Sequence, residues 1–211
     1  TTVGCEGPVG PQVPTCDGLV ATVYVEGGVI VGGRDNGQPY AGTLTGTTGL
    51  DIIVGTGGPD TLVGHQGGAV LCGPAGDDVL RGSAGADTLY GGTGNDELRG
   101  DNGQDALFGG DGAARLLGGN AADRMDGGPG DDFLRGAAGD DVMVGGDGSD
   151  ELLGNGGDDE ARGGSGDDVM EGGSGDDTLV GDAGTDEARG GGGTDACAAE
   201  TEISCETDPN E

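Results

Sequence analysis

The chain has 211 residues, of which 55 are Gly and only five are aromatic (Tyr24, Tyr40, Tyr90, Phe108 and Phe133), with no Trp and no Lys. Forty Asp and Glu stand against eight Arg, a formal net charge of -32 at neutral pH. Such a chain offers no basic footprint to DNA or RNA, is repelled by an anionic membrane surface, and contains no apolar run of the ~18 residues that a membrane-spanning helix needs. A core built from so few large side chains cannot offset the entropy of ordering this polypeptide. Either the chain is disordered, or something outside the sequence completes it.

Residues 1–45 carry no regular repeat and are expected to form an N-terminal cap over the open top of the repeat array that begins at Gly46. Val20-Ala21-Thr22-Val23-Tyr24-Val25 and Gly28-Val29-Ile30-Val31 read as β-segments. Gly37 to Thr45 reads as a degenerate coil, with Leu44 at an inward position and Gly42 where an Asp would stand.

From Gly46 to Ala198 the sequence divides without gaps into seventeen blocks of nine. The first position is Gly in every block. The fourth is Gly in all but one, the exception being Ala121. The sixth is Asp except at Ala69 and Ala114. The eighth is always small or apolar, from Ile53, Leu62 and Leu71 to Leu179, Ala188 and Cys197. Three positions held in phase over this length argue against drift of a low-complexity polymer.

Each block reads as a six-residue turn, opened by glycines at positions one and four that permit unusual backbone angles, followed by a three-residue strand. The strand's period of two points position eight inward and positions seven and nine outward. Two turns and two strands close a coil of eighteen residues, and coils stack at the usual strand spacing of about 4.8 Å. The predicted fold is all-β: a right-handed parallel β-roll with a cap at each end, residues 199–211 closing the far one.

Stacking sets each Asp above the Asp two blocks away. One column runs Asp51, Ala69, Asp87, Asp105, Asp123, Asp141, Asp159, Asp177, Asp195, and the other Asp60, Asp78, Asp96, Ala114, Asp132, Asp150, Asp168, Asp186. Without a cation these carboxylates repel one another; with one between coils they become ligands, and turn carbonyls complete an all-oxygen shell. Oxygen donors in a flexible turn favour calcium over zinc or copper, and over magnesium with its stricter octahedron. Fifteen filled gaps would bring +30 against the chain's -32. Ala69 and Ala114 each remove a ligand and Ala121 alters a turn, so fewer than fifteen strong sites are expected. The second acids at position five (Asp77, Asp131, Asp140, Asp158, Asp167, Asp176) read as solvated charges whose backbone carbonyls serve as ligands, with a direct ligand role for the carboxylates as the alternative.

Blocks such as Gly91-Gly92-Thr93-Gly94-Asn95-Asp96-Glu97-Leu98-Arg99 and Gly172-Gly173-Ser174-Gly175-Asp176-Asp177-Thr178-Leu179-Val180 resemble the RTX, or haemolysin-type, nonapeptide G-G-x-G-x-D-x-U-x. The cysteine-bearing ends look like those of small secreted actinobacterial members. The resemblance implies calcium held between successive turns on each edge, folding coupled to binding, and an extracellular location.

Five Cys cannot all pair within one chain. Cys5 with Cys16 and Cys197 with Cys205 would each close a short loop, leaving Cys72, at an outward ninth position, as a free thiol or a link to a second chain. Sequence alone does not fix this connectivity. Cys72 lies in an outward stripe (Val54, Cys72, Tyr90, Phe108, Asp126, Val144, Arg162, Val180) that reads as packing between stacked coils or as a lateral contact with another chain. The opposite stripe (Val63, Arg81, Arg99, Leu117, Arg135, Leu153, Glu171, Arg189), beside Glu97, Glu151 and Glu187, reads as a charge ladder.

No catalytic constellation is expected. His65 has no companion, the serines Ser83, Ser149, Ser165 and Ser174 fall in turns, and no phosphate-binding loop exists. The sequence thus predicts a non-enzymatic, extracellular calcium-binding module, structural or interacting. The alternatives are a calcium-dependent secretion or folding segment of a larger secreted enzyme, or a self-assembling adhesive or fibre component. Ice binding is disfavoured because the third positions (Thr48, Gly57, Gln66, Ala75, Ala84, Thr93) form no regular array.

Overall fold

A computed structural model describes residues 5–6, 15–26, 29–33, 37–198 and 203–205. Two parallel sheets face each other, built by alternate strands of the chain. The ten-stranded sheet runs from Thr43–Thr45 at one end to Ile203–Ser204 at the other, and the nine-stranded sheet from Asp51–Val54 to Ala196–Ala198. Within each sheet a residue pairs with the one eighteen further on: Leu80 with Leu98 and Leu98 with Leu116 in one, Leu89 with Leu107 in the other. The chain is a β-solenoid of eighteen-residue coils, as its period predicts.

The core is a double column of eighth-position side chains. Ile53, Leu62, Leu71, Leu80, Leu89, Leu98 and their successors to Ala188 are fully buried, and Cys197 packs against the end of the column. Leu44 joins them, and its strand pairs in register with Leu62, so the degenerate coil continues the solenoid. One buried side chain per strand explains the low apolar content.

The strands are longer than the expected three residues. Most span six, as in Val79–Ala84 and Thr88–Thr93, from position seven through position three of the next block. Only positions four to six are left as a turn. The ladder persists past position one because its N–H reaches the ninth-position carbonyl of the next coil, as from Gly73 to Tyr90 at 2.9 Å.

The glycines also divide their work differently from expectation. Left-handed backbone occurs at positions two and four, at Gly92 (φ 102°) and Gly94 (φ 136°) for example, and not at position one. Non-glycine residues hold that conformation at position two in six blocks: His65, Ser83, Asp101, Ala137, Asn155 and Asp182. At position one glycine is needed for space. A Cβ on Gly136 would lie 2.1 Å from Oδ2 of Asp141.

Ala121 (φ 79°) is the one non-glycine residue at a left-handed fourth position. A Cβ in this region costs on the order of 1 kcal/mol. Ala121→Gly is therefore expected to stabilise the protein by about 1 kcal/mol, read as a higher urea midpoint in saturating calcium. A lower midpoint would mean that the alanine makes a compensating contact.

The described part of the N-terminal segment joins the roll itself. Val23 bridges Ile53 and extends the nine-stranded sheet, with Val54 N–H donating to the Val23 carbonyl at 3.1 Å. Cys16 and Ala21 then fold onto the outer face and bury Val54 and Cys72. Cys16 is disulfide-bonded to Cys72, across 56 residues of sequence, and Cys197 to Cys205. The expected Cys5–Cys16 bond is not formed, although Cys5 and Cys16 are opposite one another in an antiparallel backbone pair. Nor is Cys72 a free thiol. The outward ninth position became an inner one because another part of the chain lies on it. Closing so long a loop stabilises by ~2–4 kcal/mol.

The rest of that stripe is occupied in part. Tyr90 stacks on Phe108 with ring centroids 5.0 Å apart, and its hydroxyl donates to Oδ2 of Asp17 at 3.4 Å. On the opposite face the charge ladder forms with different partners. Arg81 and Arg99 both reach Asp101 at position two (3.4 and 3.1 Å), Arg115 sits over the Phe133 ring, and of the predicted glutamates only Glu187 is bridged, to Arg189.

Candidate metal sites

All fifteen sixth-position aspartates are buried, none more than 7% exposed. An Asp here follows the tight turn and precedes the strand, so its carboxylate folds back under the turn of its own block. From Asp78 onward Oδ1 accepts the backbone N–H of the sixth residue one coil earlier: Asp60 N–H to Asp78 at 2.8 Å, Asp123 N–H to Asp141 at 2.7 Å, Ala114 N–H to Asp132 at 2.7 Å; Oδ1 of Asp60 is buried without a donor. The two columns are therefore continuous hydrogen-bonded ladders, with a missing rung wherever Ala replaces Asp.

Oδ2 is different. In Asp78, Asp87, Asp96, Asp105, Asp123, Asp132, Asp141, Asp150, Asp159, Asp168, Asp177, Asp186 and Asp195 it is buried and has no hydrogen-bond donor. Burying an ionised oxygen unpartnered is costly unless a counter-charge meets it. Beside it lies a cradle left open by the first glycine. The point where a Cβ of Gly127 would fall is 2.3 Å from Asp132 Oδ2 and 2.6 Å from the carbonyl oxygen of Gly145, one coil on. Gly145, with Asp150 and Gly163, and Gly154, with Asp159 and Gly172, repeat the arrangement.

Burial pushes up the carboxyls of Asp78, Asp87, Asp96, Asp105, Asp123, Asp132, Asp141, Asp150, Asp159, Asp168 and Asp177, and nearby carboxylates push further. Asp78, Asp123 and Asp159 are raised to about 7. Asp87, Asp132, Asp141, Asp150 and Asp168 are raised to about 6, again chiefly by burial. The N–H bonds to Oδ1 act in the opposite direction but do not prevail.

Two carboxylates depart from the pattern. Oδ2 of Asp51 accepts from the N–H and hydroxyl of Thr47 (2.6 and 2.9 Å), and Oδ2 of Asp60 from those of Thr56 (2.5 and 3.0 Å). The fifth-position acids are solvent-exposed, as expected, and each also ties two coils together. Oδ1 of Asp77, Asp131, Asp140, Asp158, Asp167 and Asp176 each accepts the fifth-position N–H of the next coil, as from Asn95 at 2.9 Å and Asp176 at 2.8 Å. They are exposed staples between coils rather than free charges. The sequence signal was present, since acids recur at that position, but their bonding partner is visible only once coils stack.

Among the described residues no three His, Cys, Asp or Glu side chains converge on one point. A site here therefore draws on carboxylate oxygens of one column together with backbone carbonyls. That donor set is hard and all-oxygen, suited to calcium and poorly suited to metals that prefer nitrogen or sulfur.

Stacked turns with unpartnered buried carboxylate oxygens define a β-solenoid whose turns are suited to hold cations. The model of the RTX calcium-binding nonapeptide repeat matches residues 40–68 and, in overlapping segments, 73–197, and the chain belongs to that family. The family binds calcium through Asp-rich turns, and its repeats are structural rather than catalytic. No curated protein matches the chain.

Proposed function

We propose that this protein is an extracellular module that folds into its solenoid when calcium enters the turns, and that the folded rod serves a structural or interaction role. The observation that carries this is the row of thirteen buried Oδ2 atoms with no donor. Each is balanced if a divalent cation lies against it, and binding confined to the folded form is folding free energy. Millimolar calcium outside cells suits modules of this kind, and two disulfides suit the same oxidising compartment. Assembly through the Val54–Cys72 stripe has less support, because those two side chains are covered by the chain's own Cys16 and Ala21.

Six gaps between Asp87 and Asp195 in one column, one between Asp78 and Asp96, and three between Asp132 and Asp186 in the other have an unpartnered Oδ2 on both sides. Saturation at about ten calcium ions per chain is expected, as measured by equilibrium dialysis or native mass spectrometry. Ala114→Asp supplies the missing rung between Asp96 and Asp132 and is expected to raise the count by about two. Saturation at only one or two ions would overturn this reading.

A further inference from the structure

In the first two turns of the repeat array protein donors take up the aspartate Oδ2 that is bare in later turns, and we infer that these turns form a calcium-independent end on which the rest of the roll assembles. The inference rests on the calcium reading of the other turns and concerns where that dependence stops.

In the blocks that begin at Gly46 and Gly55, the second residue is a threonine whose backbone is not left-handed. Its N–H and its hydroxyl both reach Oδ2 of the block's own aspartate. The same hydroxyl oxygen accepts the N–H of the fourth residue, Gly49 at 3.3 Å or Gly58 at 3.4 Å. Two donor hydrogens therefore occupy the side of Oδ2 that is bare in every sixth-position aspartate from Asp78 onward. A cation placed there would face N–H and O–H protons, so hydrogen bonds close these turns in its stead.

The third and fourth blocks show how the pattern ends. At Gly64 the sixth position is Ala69, with no carboxylate to satisfy. At Gly73 the second residue is Pro74, which has no N–H to donate, and Oδ2 of Asp78 is the first in the chain to lie buried without a donor. Past that point every second position is left-handed, and no sixth-position Oδ2 has a partner.

The same end is held by other metal-free ties. Cys16 is bonded to Cys72, and Thr22 and Val23 N–H donate to the Ile52 carbonyl. The Thr22 hydroxyl accepts the Ile52 N–H at 2.9 Å and reaches Oδ1 of Asp51 at 3.4 Å. Val23, Leu44, Ile53, Leu62 and Leu71 are fully buried there. A folded first coil offers paired strand edges to its successor, which lowers the cost of closing the next turn. The roll then grows from its N-terminal end as calcium is added.

Hydrogen exchange on the intact, disulfide-bonded chain, with mass-spectrometric readout, tests this. In chelator at neutral pH, peptides from residues 43–72 are expected to stay protected at least about tenfold over those from 82–198, and calcium should protect both. Equal, fast exchange of both regions in chelator overturns the inference and leaves the calcium reading intact. Full protection of 82–198 in chelator sinks the calcium reading itself. Metal counts give an independent check. Asp60→Asn is expected to leave the calcium stoichiometry unchanged, whereas Asp150→Asn, between two candidate gaps, should lower it. Loss of bound calcium in Asp60→Asn overturns the assignment of that turn.

Discussion

In a strong chelator at pH 7.5 the protein is expected to lose most of its β-sheet circular dichroism and to regain it when calcium reaches about 10⁻⁴–10⁻³ M. The physical reason is the cost of the aspartate columns. A carboxyl that folding holds at about 6 or 7, rather than at 3.8, opposes folding by roughly 3–4 kcal/mol at a pH above both values. Asp78, Asp87, Asp123, Asp132, Asp141, Asp150, Asp159 and Asp168 all belong to this set. Three or four of them match the whole stability of an ordinary domain, ~5–15 kcal/mol. A core one side chain thick holds no reserve against that. With calcium bound, the same carboxylates become the strongest ties between coils, so the transition should be steep. An unchanged spectrum in chelator at neutral pH would sink the account.

Protons are expected to replace calcium in part. With chelator present, lowering the pH from 7.5 to about 5 should restore sheet signal. The sign follows from the direction of the shifts. The folded carboxyls sit above their unfolded value of 3.8, so between about 4 and 7 the folded state binds more protons than the unfolded one. Stability of the metal-free roll therefore falls as pH rises through that window and is greatest below it. In calcium the slope reverses, because the ion must displace those protons, and apparent affinity weakens below about pH 6. Circular dichroism across this range, with and without calcium, should give two curves of opposite slope. Sheet content in chelator that rose with pH would contradict the burial of these groups.

Much of this was legible in the linear chain because the fold repeats with the sequence. An error in reading one block would have been exposed by sixteen others. Leu44 could be placed in the core from its spacing alone, even with Gly42 standing where an aspartate belongs. What one block cannot reveal is its neighbour above. The fifth-position acids are the solvent-exposed charges the sequence suggests, but the N–H of the next coil set against Asp77 and Asp158 comes into view only when coils stack. The left-handed second position was hidden because His65, Ser83, Ala137 and Asn155 share no chemistry, only a backbone angle.

The sequence by itself determined the coil length, the inward column, the two aspartate ladders and the family, since each depends on spacing at one fixed period. Only the tertiary structure decided the partner of Cys16, the burial of Cys72, and which carboxylates stand without a donor. Those depend on the non-repeating N-terminal segment lying across the roll, and on whether a second-position residue turns its N–H toward or away from Oδ2. Contacts between distant segments and the direction of a single N–H leave no mark on a repeat pattern.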